Sequence, residues 1–165
     1  PAPDGVHFMP CKKATEMNKL VSQQFPECDV LIMTAAVGDF APEQIEKGKI
    51  KKKGDAPLVL QLMPTEDILR NVSKLKTKQF VVGFAAESEN LTQSALEKLR
   101  NKKLDLIVAN DISAPGIGFQ SDSNQVTLIN RHEEVEHLPI LPKIEIAHSL
   151  LNRILKSISA PSCNP

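Results

Sequence analysis

Three stretches of the chain share one design. The segments 29-DVLIMTAAVGDF-40, 80-FVVGFAAE-87 and 104-LDLIVAND-111 each carry a short apolar run that discharges into small or polar residues. Short continuous apolar runs match strands buried on both faces, as in a parallel sheet. Elsewhere apolar residues recur at helical spacing. Ala14, Met17, Leu20 and Val21 predict a helix over 14–24. Ile68, Leu69, Val72 and Leu75 predict one over 66–76, with Thr65 as N-cap and Glu66 and Asp67 at the positive end of the helix dipole. Leu91, Ala95 and Leu99 predict one over 91–103, where Asn90 and Gln93 resemble a capping box. Residues 143–158 predict a last amphipathic helix behind Pro139 and Pro142. Val6 to Met9 reads as a short strand, and 125–130 with 133–138 as a hairpin around Arg131 and His132.

Alternation of this kind predicts an α/β fold, a Rossmann-like three-layer sandwich with a mainly parallel sheet and helices on both faces. In such sheets ligands gather beyond the carboxyl ends of the strands. That rule selects Ala35 to Asp39, Phe84 to Glu87 and Ala109 to Ser113. These exits are rich in Ala and Gly, which let backbone approach a ligand closely. A single domain over 1–158 is expected, with a disordered tail over 159–165.

Composition narrows the function. The 165 residues suit one domain, and 20 basic residues face 20 acidic ones. Zero net charge argues against nucleic-acid binding by bulk electrostatics, and the lack of Trp and Tyr against base-stacking platforms. No apolar run approaches the roughly 20 residues of a membrane span. Cys11, Cys28 and Cys163 have no metal-type spacing and read as reduced thiols of a cytoplasmic protein. The opening PAPDG resembles the middle of a longer protein.

Several polar features could carry chemistry. The stretch 47-KGKIKKKGD-55 packs Lys47, Lys49, Lys51, Lys52 and Lys53 into seven positions, with Gly48 and Gly54 as candidate hinges. It reads either as a solvated basic loop or as a glycine-hinged lid over phosphates, spanning about residues 43–56. Lys98 and Lys102 stand one turn apart on a helix, a common solvated arrangement that would also serve an anion. Asp39, Asn110 and Asp111 sit at strand ends, where polar residues act as turn formers or bind ligands. His7, His132, His137 and His148 are scattered, so a zinc site is not expected. There is no GxGxxG, Walker A or GxSxG motif. Without Tyr, the Tyr–Lys pair of a short-chain dehydrogenase cannot form.

The ordered series MTAAVGDF, KGKIKK, PTEDIL, VVGFAAESENL, KLRNKKLDLIVANDIS and GFQSDSNQVTLI resembles phosphopantothenate–cysteine ligases of the bacterial type, from about Ala14 to Leu151. The resemblance implies CTP-dependent activation of 4′-phosphopantothenate to an acyl-cytidylate, then attack by the cysteine amine, with Mg²⁺ assisting. It implies a nucleotide-binding Asp39, and a catalytic, nucleotide-contacting lid residue in Lys49. Glu66, Asp67, Ile68 and Leu69 would form a backbone-binding turn, Phe84 would contact the base, and Lys98 and Lys102 would hold the triphosphate. Ala35, Ala36 and Val37 would line the cytidine and acyl pocket, with Asn110 and Asp111 nearby. It assigns no metal ligands. It also implies a homodimer, with the apolar 57-PLVLQLM-63 in the extension beside the lid as a candidate contact. A phosphopantothenoylcysteine decarboxylase flavoprotein would be a fused or separate partner.

The chain departs from the family pattern at Gly38, commonly Ala, and at Glu66, commonly Pro. It also lacks the front of the domain, a strand, a Gly-rich turn and an Asn-bearing stretch for the acyl phosphate. On that reading the domain is truncated at its N-terminal side and the fragment alone is weakly active or inactive. Two other readings stay open: a non-catalytic nucleotide-binding or dimerisation fragment, and an unrelated Rossmann-type oxidoreductase. CTP and ATP are not distinguished by any motif.

Overall fold

The computed structural model describes residues 2–46, 48–52, 54–55, 57–87, 90–111 and 121–159, without the side chains of Glu87 and Asp111. Lys47, Lys53, the strand exit from 112 to 120 and the tail from 160 onward, Cys163 included, lie outside the described residues.

The elements in chain order are α1 (Ala14–Gln24), β1 (Val30–Met33), β2 (Phe40–Pro42), β3 (Leu62–Pro64), α2 (Ile68–Leu75), β4 (Phe80–Glu87) and α3 (Leu91–Asn101). Then follow β5 (Leu106–Asp111), β6 (Ser123–Asn124), β7 (Val126–Asn130), β8 (Val135–His137), β9 (Leu141–Pro142) and α4 (Lys143–Ser159). The main sheet runs β1-β4-β5-β7-β8. The three apolar runs are its parallel strands, and the hairpin β7–β8 extends it antiparallel from β5. The sheet is therefore mixed, with a parallel half that ends in the predicted strand exits. Met33 is opposite Gly83, and Ala86 is opposite Asn110, so the three exits lie side by side.

Strand pleating sends alternate residues to opposite faces. On one face Val81, Ala85, Ile107 and Ala109 pack with Phe25, Val72, Ala95 and Leu99, so α1, α2 and α3 form that layer. On the other, Val82, Leu106, Val108 and Leu128 pack with Ile146, Leu150 and Ile154 of α4. The sandwich has three layers, with α4 the helix described on its second face.

The strands are anchored at the end away from their exits. Asp105 Oδ2 accepts the Val81 N–H at 2.8 Å and the Lys76 ammonium at 2.6 Å. Lys76 also donates to Lys103 O at 2.8 Å. The pair is largely buried, with side chains 16% and 9% exposed. A buried ion pair depends on such added hydrogen bonds to offset desolvation.

Three local expectations fail. Val6 to Met9 forms no strand; Val6 and Phe8 are exposed, and Val6 N–H turns back to Pro3 O. Among the described residues no neighbouring strand takes its hydrogen bonds. The second helix starts at Ile68, and its cap is Asp67, whose Oδ1 accepts the Arg70 N–H at 3.1 Å. Thr65 is taken by the opposite loop, its hydroxyl donating to Gly38 O at 2.5 Å. Asn90 has φ of 50° and makes no side-chain cap, while Gln93 reaches forward to Glu97. Of the apolar 57–63 run, only Leu62 and Met63 are in a strand, pairing with Pro42 and Ala41. Leu58, Val59 and Leu60 stand exposed in the arm that follows Pro42.

Candidate active site

A cavity of about 400 Å³ opens at the three parallel strand exits. Ala35, Ala36, Val37 and Asp39 enter it from the loop after β1, and Glu66, Asp67, Ile68 and Leu69 from the turn into α2. Phe84 comes from β4, Lys98 and Lys102 from α3, and Asn110 from β5. The two loops are stitched together. Thr65 N–H donates to Asp39 O at 2.8 Å, beside the bond from the Thr65 hydroxyl. Phe84 keeps 38% of its surface exposed and lines the cavity.

The polar groups are arranged unevenly. Asp67 caps α2 and lies 3.1 Å from Lys102 Nζ, linking the start of α2 to the end of α3. Burial works to raise its pKa, but the Arg70 N–H and the Lys102 ammonium outweigh this and hold it below the usual carboxylate value. Glu66 accepts a hydrogen bond from Asn18, which itself accepts from Asn71 at 3.3 Å. Asn110 Oδ1 is buried without a hydrogen-bond partner among the described residues. A buried acceptor left this way costs about 1–3 kcal/mol unless water or a ligand satisfies it. Helix geometry also leaves the first N–H groups of α2 without intrahelical partners, suited to an anion.

Twelve of the residues singled out in the sequence line this one cavity; Lys49 does not, and the side chain of Asp111 lies outside the described ones. Lys49 lines a separate cleft of about 610 Å³ within the arm, with Gly48, Ile50 and Lys51 facing Leu58 to Gln61. There Lys52 pairs with Asp55 at 3.0 Å. Thr34, Thr65 and Ala86 also line the main cavity, and Asn18 supports it. The strand-exit rule covered Ala86; nothing local in the sequence marks Asn18, which meets Glu66 across 48 positions. Among the described residues no cluster of three or more His, Cys, Asp or Glu could hold a metal by itself. No helix among them is long and apolar enough to cross a membrane.

Comparison with known proteins gives a consistent picture. The sequence profile of the DNA/pantothenate metabolism flavoprotein C-terminal domain matches residues 1–158. The Coenzyme A biosynthesis bifunctional protein CoaBC of Bacillus subtilis is 40% identical over 147 residues, 89% of this chain and 36% of that protein. A cysteine/cysteine sulfinic acid decarboxylase from an unknown prokaryotic organism is 36% identical over 94% of this chain and 43% of its own length. The chain thus spans less than half the length of these curated relatives. Among solved structures, the C-terminal domain of a CoaBC protein superposes with a TM-score of 0.79 at 33% identity, covering 98% of this chain and 70% of that one. The fold recurs in a Cab2 H337A variant solved with phosphopantothenate-cysteine, with a TM-score of 0.62 and 18% identity over 87% of this chain and 51% of that one. With its profile matched from end to end of the sandwich, the chain belongs to the family of the DNA/pantothenate metabolism flavoprotein C-terminal domain.

Proposed function

We propose that this domain is the ligase part of a coenzyme A biosynthesis enzyme, joining 4′-phosphopantothenate to cysteine through an acyl-cytidylate made from CTP. The observation that carries the reading is convergence. A partly exposed aromatic, two lysines one helical turn apart, the start of a helix and a strand-exit carboxylate all line one cavity. The relatives named CoaBC support a place in coenzyme A biosynthesis, and the sequence motifs support the substrates.

The chemistry suits the residues. A carboxylate is a poor electrophile and must gain a leaving group. Bringing it to a triphosphate sets anion against anion, and fixed cations are the means of stabilising that approach. Lys98 and Lys102 would hold the phosphates as point charges. The free N–H groups of Ile68 and Leu69 would add donors, Phe84 would support the base, and Asn110 Oδ1 would accept from a ligand N–H or O–H. Asp39 would meet the nucleotide or its cation. Mg²⁺ fits as a cation carried mainly by the phosphates, which needs only one or two protein carboxylates; it would offset phosphate charge. Lys49 would arrive from its own cleft when the arm folds over the cavity.

Homodimerisation through the exposed apolar arm, a decarboxylase flavoprotein as partner and a cytoplasmic setting belong to the same proposal. The first test is thermal shift with CTP, ATP or NADPH in the presence of Mg²⁺. Stabilisation by CTP, lost in Lys98→Gln and Phe84→Ala, is expected. Stabilisation by NADPH alone would refute the ligase reading.

A further inference from the structure

Asp67 and Lys102 meet across the cavity that the nucleotide reading assigns to a triphosphate. The Asp67 carboxylate divides its two oxygens. Oδ1 caps α2 through Arg70 N–H, and Oδ2 faces Lys102 Nζ at 3.1 Å. Lys102 is fixed at its backbone by an N–H bond to Lys98 O at the end of α3. To an ammonium, a carboxylate oxygen and a phosphate oxygen offer the same charge-assisted bond. The carboxylate therefore stands where a ligand phosphate would compete for the same cation.

The neighbouring carboxylate is handled differently. Glu66 is bonded to Asn18 of α1, outside any ion pair among the described residues. Asp67 alone of the two is paired with a cavity lysine. Its side chain is 42% exposed and that of Lys102 26%, so the pair is wet and readily exchanged.

We propose that Asp67 is an internal stand-in for ligand phosphate. It holds Lys102 in place in the ligand-free cavity, yields it to an incoming polyphosphate, and recaptures it as pyrophosphate leaves. This rests on the nucleotide reading and adds a residue whose charge opposes the ligand. The gain is in turnover. A lysine kept in position loses less side-chain freedom when the ligand binds. A competing carboxylate then keeps the product from being held too tightly.

The test is titration calorimetry with inorganic tripolyphosphate, pyrophosphate and CTP. Asp67→Asn keeps a good cap acceptor and removes the charge; Asp67→Ser is a second neutral cap. Both are checked for cooperative melting. Binding of tripolyphosphate and pyrophosphate should tighten about two- to fivefold in either variant, the scale of losing one partly exposed competing charge. The gain should vanish when Lys102→Gln is added, as a double-mutant cycle requires if the two residues act on each other. Unchanged or weaker polyphosphate binding in a folded Asp67 variant would overturn the proposal while leaving the nucleotide reading intact. A gain that persists without Lys102 would overturn it too. A wild-type chain that binds neither CTP nor tripolyphosphate would instead remove the reading on which it rests.

Discussion

Gly83 has no side chain where β4 runs beneath the cavity. A Cβ there would come 2.7 Å from Leu104 Cδ1 and 3.4 Å from Leu69 Cδ1. Leu69 lines the cavity, so the crowding would be felt at the site as well as in the core. Gly83→Ala is expected to destabilise the domain by about 1–3 kcal/mol in urea unfolding, the usual range for overpacking. At Asp105 the expected loss is larger. Asp105→Ala leaves Lys76 buried without its partner and orphans the Val81 N–H, for a loss of about 3–5 kcal/mol. An unchanged urea midpoint would refute either expectation. At this scale the sequence was legible where a residue's meaning depends on its element. Phe84, Asp39 and Asn110 reach the cavity as strand exits would place them, while Lys98 and Lys102, a common solvated pair by spacing, were marked out only by the family resemblance. It was not legible where two neighbours compete for one role. Thr65 and Asp67 are both good caps, and a carbonyl at Gly38, 27 positions away, decides between them.

Among the elements, α4 shows how periodicity becomes packing. Ile146, Leu150 and Ile154 recur every four residues, and all three are buried against the sheet. Leu150→Ala should cost about 2–5 kcal/mol by the same urea measurement. Arg153 then ties α4 to β8 through both oxygens of Glu136. The Arg153 hydrogen bond lowers the Glu136 pKa from its ordinary value of 4.5, against a smaller opposing effect of burial. A lowered folded value means that the stabilisation is fully present above the ordinary value and is lost as pH falls through the lowered one. Glu136→Gln should therefore lower the melting temperature near neutrality, and the difference from wild type should shrink in acid. A difference constant with pH would refute the linkage. The helices and main strands were read correctly from spacing because each carries a full apolar face. The pairing of β6 with β9 was not, since strands of two residues have no period to detect.

At the scale of the whole molecule, the arm is the part whose surface disagrees with a solitary domain. Val59 is 85% exposed and Leu58 65%, with Ile50 beside them in the cleft that holds Lys49. If copies associate through this arm, Val59→Glu should shift sedimentation from dimer to monomer without changing the melting of the sandwich. A dimer that survives the change would place its interface elsewhere. In a turnover-competent protein carrying this domain, Lys49→Gln should slow turnover and spare CTP binding. An unchanged rate would remove Lys49 from the mechanism.

The two central strands begin at a clamp and end at a cavity. Asp105 fastens the start of β4 and β5, while Phe84, Ala86 and Asn110 occupy their far ends. This separation gives the domain a kind of modularity. Residues that choose a ligand can drift while those that keep the sheet aligned stay fixed. Changing what fits beside Phe84 would then require exchanges at the rim alone, with the clamped end of the sheet left as it is.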